Sequence, residues 1–423
     1  MRRWTLALVL ILACGGTALA AFEIETVETG NTGLHTATAV GPADRPCICY
    51  YDAANTMLKV AELVGGVWQT YEVDNDGDVG QYCSIYVDSG DDPHVAYQDN
   101  VDLDVRYAYR DGGEWYTEVL ESDGPLGQAL CMRQGPAGYP RITYENDDSG
   151  VLTYLWFDQS GHYTHVIDPD NFMGGRKTAL VVMSSTLNYV AYFDDGWGGL
   201  RMAEGNNASW TYWAVDGIGE WENLGWDLAM EADADGNMHL AYYDQLNGRL
   251  KYAWGPPHDL QMEWLDDSSW CGYPVDLKVD DEGRPHVCYY DLTNGMLRYG
   301  YRGPNRWHLY EVDSGTGVGE ECSLAIDSGG VITIAYRDSG TGSLKVARGD
   351  SSNLPPYNGD DDTAPDDDTF VDDDTIADDD IVADDDAVTD DDADDDADDD
   401  TTDDDSAPPI TSGDDDDDSG CGC

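Results

Sequence analysis

The chain has little phenylalanine, little positive charge and no apolar run long enough to cross a membrane. It holds 5 Phe against 27 Tyr and 13 Trp in 423 residues. Aromatics with a polar tip suit strands and wet rims better than a greasy helical core. Lys and Arg number 21 against 86 Asp and Glu, a net charge of −65. Such a chain has no cationic surface with which to neutralise phosphates, so nucleic acid and anionic membranes are not expected partners. No segment shows the length and 3.6-residue period of an amphipathic helix. No Gly-rich phosphate loop and no nucleophile elbow occurs.

The two ends are unlike the middle. Arg2-Arg3, an apolar stretch from Trp4 to Leu12 and then small residues read as an export signal. That stretch is too short to span a bilayer, so no transmembrane helix is expected in the mature chain. Two processing sites compete. Ala18-Leu19-Ala20 is an A-x-A cleavage site, which would make residues 1–20 a signal peptide. Leu10-Ile11-Leu12-Ala13-Cys14 resembles a bacterial lipoprotein box, which would make Cys14 a lipidated residue. Either route expects an extracellular or outer-surface protein in a compartment where disulfides form. At the other end, residues 350–423 carry 33 Asp and no Glu, Lys or Arg. Asp triplets there start at Asp360, Asp366, Asp372, Asp378, Asp384 and Asp390, a period of six that fits neither helix nor strand. The composition predicts a disordered, self-repelling acidic tail that binds calcium weakly, since hard cations prefer carboxylate oxygen. The closing Cys421-Gly422-Cys423 resembles the cysteine of C-terminal sorting tags in surface-exporting bacteria.

Between the ends one pattern recurs. A Tyr followed two residues later by Asp or Asn occurs at Tyr50/Asp52, Tyr97/Asp99, Tyr144/Asn146, Tyr192/Asp194, Tyr242/Asp244, Tyr289/Asp291 and Tyr336/Asp338. The steps are 47, 47, 48, 50, 47 and 47 residues, and Gly33, Gly80, Gly127, Gly175, Gly225, Gly272 and Gly319 keep the same beat. A period of this size marks a propeller or a solenoid. Each repeat parses into four short strands; in the second these are Cys83–Asp88, His94–Asp99, Asp104–Tyr109 and Trp115–Glu121. We therefore expect an all-β fold, a seven-bladed β-propeller with four-stranded blades over residues 21–349. The seventh repeat lacks its last strand. Phe22 to Gly30 aligns with Trp307 to Gly315, so the N-terminal strand is expected to close the last blade.

The Tyr–Asp strand, the His-x-x-Tyr entry to it (His94, His239, His286) and the Gly-x-Trp turn (Gly66–Trp68, Gly113–Trp115) carry a resemblance. The repeats resemble exported bacterial β-propellers of the Asp-box, sialidase-like and fucose-lectin-like superfamilies. Asp111-Gly112-Gly113-Glu114-Trp115 is a degenerate version of the Asp box. The resemblance implies carbohydrate as the first-choice ligand. A sialidase also needs three non-equivalent arginines and a Tyr–Glu pair, and no such arginine trio stands out from the repeat. His94, His239 and His286 occupy equivalent places in different blades, which suits neither a zinc site nor a catalytic dyad.

Four sets of residues stand out. An Asp on the second strand precedes a base by seven residues in six repeats (Asp52/Lys59, Asp99/Arg106, Asp194/Arg201, Asp244/Lys251, Asp291/Arg298, Asp338/Lys345), the spacing of a cross-strand ion pair. Asp74, Asp76 and Asp78 alternate around Gly77, as in a calcium loop or an Asp-rich turn. Cys49 and Cys83 repeat the separation of Cys288 and Cys322, which predicts either two disulfides between neighbouring blades or buried thiols. Trp197, Trp221, Trp226 and Trp270 fall outside the repeat, with Asp195, Asp216 and Glu220 nearby. They mark a ligand site on one face near blades four to six, or a set of indoles that pack the loops. The expected protein is a monomeric, non-catalytic binding module for a glycan or a surface protein. It needs no cofactor, except that calcium remains open. A sialidase-type glycan hydrolase or lyase and a purely structural surface module are the alternatives.

Overall fold

The computed structural model describes residues 22–351, apart from 123, 147–148, 170–176, 197, 218–223 and 269, and apart from the side chains of 224–226. The signal segment and the acidic tail expected from the sequence lie outside these residues. Seven four-stranded antiparallel sheets follow one another, each ordered a-b-c-d in space as in sequence. Blade 1 is a (Leu34–Val40), b (Pro46–Asp52), c (Met57–Val64) and d (Val67–Asp74). Blades 2 to 6 repeat this plan from Val79, Leu126, Thr178, Leu224 and Cys271. Blade 7 has a (Val318–Ile326), b (Val331–Asp338) and c (Ser343–Asp350), and its d strand is Glu23–Thr29 from the other end of the chain. Glu23 pairs with Arg348, Thr26 with Lys345 and Thr29 with Ser343. The seven-bladed propeller with an N-terminal closing strand is thus as expected. Among the described residues no helix is long and apolar enough to cross a membrane.

Strand a of each blade packs against strand a of its neighbours, so these seven strands surround a central channel. Strand b is buried along almost its whole length, whereas strand d alternates with solvent. That gradient explains why strand b reads as a continuous apolar run in sequence. The core lies between blades rather than within them. Cys49, Leu58 and Val60 of blade 1 pack with Val79, Ile85 and Tyr97 of blade 2, for example.

Strand a starts earlier than its sequence suggests: Val79 rather than Cys83 in blade 2. The early part contains the repeat glycine and a register break, between Gln81 and Ser84 in that blade. The glycine has a positive φ (110° at Gly80, 106° at Gly319) and sits against strand c of the preceding blade. A Cβ there would lie 2.7 Å from the Cα of Leu58 or Leu297. Gly33, Gly127 and Gly272 share the positive φ.

Six of the seven blades are fastened to the one before by a buried polar set. The strand-b tyrosine crosses to an acid at the end of the preceding strand d. Tyr97 donates to Asp74 at 2.6 Å, Tyr192 to Asp168 at 2.7 Å, Tyr242 to Asp216 at 2.8 Å, Tyr289 to Asp266 at 2.6 Å and Tyr336 to Asp313 at 2.6 Å. Tyr50 donates to Glu28 of the closing strand, which ties blade 7 to blade 1. The strand-c base stands directly opposite this tyrosine in register, not opposite the strand-b Asp. The expected cross-strand pair is therefore diagonal, and the base is shared with the neighbouring blade. Arg106 reaches both Asp99 (2.5 Å) and Asp74 (3.2 Å), and Arg201 both Asp194 (2.8 Å) and Asp168 (3.0 Å). The strand-b Asp also caps its own b–c turn, as Asp99 does by accepting from the backbone N–H of Val101 and Asp102.

Candidate functional site

The d–a and b–c loops lie on one face, held together by backbone hydrogen bonds such as Ala53 N–H to Asn31, Asn100 N–H to Asp78 and Leu292 N–H to Trp270. On this face the channel opens. Two residues after each repeat glycine the chain presents one residue to the mouth: His35, Tyr82, Ala129, Lys177, Asp227, Pro274 and Glu321. All seven line a single cavity of about 310 Å³. Four of them, His35, Tyr82, Ala129 and Glu321, have φ between 51° and 56°, because the bulge after the glycine turns them inward. The scaffold positions around them repeat their chemistry from blade to blade; these seven do not.

The ring sets two carboxylates, Asp227 and Glu321, around one cation, Lys177. Lys177 Nζ donates to Asp227 Oδ1 at 3.1 Å and to the carbonyl of Val275 at 2.9 Å. Burial works against the Lys177 ammonium, but Asp227 and Asp276 outweigh it and hold the proton. Burial pushes the Asp227 carboxyl up, and Lys177 pulls it part of the way back. His35 is lowered by burial, offset in part by Glu321, whose carboxylate accepts the His35 backbone N–H at 3.2 Å. At this pKa direction His35 is a neutral imidazole at pH 7. Deeper in the channel, burial raises Asp276, but Lys278 and Lys177, with donors from Leu324 N–H (2.8 Å) and the Ser323 hydroxyl (2.9 Å), hold its carboxyl low.

Aromatic rings flank the mouth on two sides. His35 and Tyr82 lie 4.6 Å apart between ring centroids. Across the mouth, Tyr273 of blade 6 strand a is 52% exposed beside Tyr243; Trp270, in the loop just before that strand and outside the cavity lining, is 56% exposed. Trp270 rests on the backbone of Gly248 in the neighbouring b–c turn.

Of the residues singled out in the sequence, Trp270 is thus an exposed indole on the expected face. Trp197, Glu220 and Trp221 lie outside the described residues. Trp226 belongs to strand a of blade 5, and its side chain is likewise not described. Asp195 is half-buried in the b–c turn of blade 4. Asp216 is occupied by Tyr242 and by Lys251 at 2.7 Å, so it fastens blade 5 to blade 4 rather than standing free for a ligand. The Asp74, Asp76 and Asp78 carboxylates are not brought together: Asp74 accepts from Tyr97 and Arg106, while Asp78 accepts from Tyr51 (2.6 Å) and Asn100 (3.0 Å). Among the described residues no group of three or more metal-ligating side chains converges. His94, His239 and His286 each contact a strand-c tyrosine and an Asp of the a–b turn, as structural histidines. The mouth ring itself was missed. Its signal was available: the residue two places after each aligned glycine changes in every blade.

No protein-family model and no curated protein matches this chain. Solved structures do. AofleA from Arthrobotrys oligospora is 12% identical, with 70% of this chain and 90% of that one covered and a TM-score of 0.50. YCF48 bound to a D1 peptide is 14% identical, covering 82% and 100%, also at 0.50. The SapL1 lectin in complex with alpha methyl fucoside is 14% identical, covering 68% and 97%, at 0.46. A microbial sialidase is also among the matches. At these identities the likeness is one of fold alone.

Proposed function

We propose that the protein is an exported, non-catalytic binding module that seats a neutral carbohydrate at the mouth of its central channel. The observation that carries this reading is the convergence of seven non-equivalent ring residues on one cavity of a scaffold that otherwise repeats. Repeat proteins concentrate such departures where they bind. The chemistry suits a polyol. Lys177 is a donor, Asp227 and Glu321 are acceptors, the Tyr82 and Tyr273 hydroxyls serve as either, and the exposed rings of Tyr273 and Trp270 offer faces to sugar C–H groups. Two carboxylates against one ammonium, inside a chain of net charge −65, disfavour an anionic glycan.

The test is retention of the full-length protein on an array of neutral and acidic glycans, with product release measured on the same panel. Retention on neutral sugars without turnover supports the reading. Turnover would point instead to a hydrolase or lyase that uses the His35, Tyr82, Asp227 and Glu321 groups. Silence on both counts would leave a structural surface module.

A further inference from the structure

Seven cysteines are described, all buried and unbonded. Four of them form two pairs related by the repeat. Cys49 lies on strand b of blade 1 and Cys83 on strand a of blade 2; Cys288 lies on strand b of blade 6 and Cys322 on strand a of blade 7. Each pair occupies a single core cluster between its two blades. Within each pair the two thiols are neighbours in that cluster. Burial first, and then the adjoining Cys49, pushes the Cys83 thiol up, and burial with Cys322 does the same to Cys288. In the other five blades the Cys49 position holds Ala96, Thr143, Ala191, Ala241 and Ala335, and the Cys83 position holds Thr36, Leu130, Thr178, Leu228 and Val275. The two positions thus carry cysteine together or not at all, although alanine fills the Cys49 position in four of the other blades.

We propose that Cys49–Cys83 and Cys288–Cys322 are disulfides in the mature, exported protein, each stapling one blade to the next. Their placement is specific. They join blades 1 to 2 and 6 to 7, and so flank the closing seam in blade 7, where the N-terminal strand pairs with strand c. That seam has non-covalent fastenings of its own: Arg337 donates to the Thr32 carbonyl at 2.9 Å and to Asn31 Oδ1 at 2.8 Å, and Asn31 N–H donates to Gly342. The staples also stand directly behind the mouth. Cys83 and Cys322 line its cavity, next in sequence to Tyr82 and Glu321, and Cys83 donates to the His35 carbonyl at 2.9 Å. The bridges fix the backbone that carries two of the seven ring residues, Tyr82 and Glu321.

The chemistry is thiol–disulfide exchange. Each pair gives up two protons and two electrons to a disulfide oxidant of the export compartment, which leaves as a dithiol, and one S–S bond forms per pair. Burial keeps the folded Cys83 and Cys288 thiols protonated and poorly nucleophilic, so the bridges close during folding, before the blades dock. Once closed, they are shielded from reductant by the same burial.

Exported protein is unfolded in denaturant with an alkylating agent and no reductant, then digested and mapped by mass. The proposal expects Cys49- and Cys83-containing peptides joined to each other, Cys288- and Cys322-containing peptides joined likewise, and Cys47, Cys131 and Cys271 alkylated. Alkylation of all four paired cysteines, or a different pairing, would overturn it. A second measurement uses Cys49→Ala, which copies the residue found in four other blades and should therefore fold. It should leave one new alkylatable thiol at Cys83. Its melting temperature should fall on the order of 5 °C, with less further loss on reduction than in the parent. A thiol count one lower than the parent's would overturn the bridge.

Discussion

At the scale of residues, six buried tyrosines hold blade to blade, and each donates to a carboxylate with little access to water. Removing one hydroxyl leaves that carboxylate short of a donor in a site where the shortfall is costly. Tyr289→Phe should lose about 1–3 kcal/mol of stability, read as a lower denaturation midpoint with an unchanged slope. An unaltered midpoint would mean that Arg298 and Ser268 satisfy Asp266 alone. The structural histidines set a pH dependence. Burial lowers His239 and His286, with Asp233 and Asp280 offsetting only part of the effect, and His94 is lowered in the same way beside Asp88. The unfolded chain takes up protons below about pH 6.5, while the folded histidines resist until lower pH. The unfolded state therefore binds more protons in that window, and stability falls as pH drops from 7 towards 5. A melting temperature that holds level over this range would contradict the assignment, and His286→Asn should flatten the slope.

At the scale of elements, the blade plan was legible because strand b is buried on both faces and its Tyr-x-Asp signature recurs with a nearly constant step. The closing strand was legible because Phe22 to Gly30 repeats the sequence of a known fourth strand. Phe22 itself packs edge-on against Tyr299 at 5.2 Å, inside the blade boundary that the alignment implied. Other features were hidden. The start of strand a was read four residues late because its bulge breaks the period-two pattern on which strand recognition depends. The Asp/base spacing of seven was read as a facing pair, yet it is the tyrosine that faces the base. The mouth ring escaped because a period is found from what recurs, and those seven positions are defined by not recurring. The repeat glycines supply the element-scale prediction. Gly319→Ala adds a Cβ 2.7 Å from the Leu297 backbone at a φ of 106°. Both strain and displacement apply, so a loss of more than about 1 kcal/mol is expected, read as a lower melting temperature. The same substitution at the exposed turn residue Gly65, whose Cβ meets nothing within 4 Å, should cost less.

At the scale of the whole molecule, seven radial sheets without a free end leave the channel mouth as the place where all blades meet. A ligand there touches residues from every blade, and the seat is defined only when the ring is closed. Deleting residues 22–30 should therefore abolish ligand retention as well as stability, because it opens blade 7 and removes Glu28 from Tyr50 and Lys59. The most direct test of the mouth as the binding seat is a titration of the glycan retained by the parent protein into Tyr273→Ala and Glu321→Gln, each first shown to melt as the parent does. Tyr273 is exposed, and Glu321 keeps its shape as Gln, so neither change disturbs the blades. The account predicts an affinity loss of roughly tenfold or more in each, the size expected when one well-placed contact is removed from a small-ligand site. Parent-like affinity in both variants would contradict it and move the site off the channel.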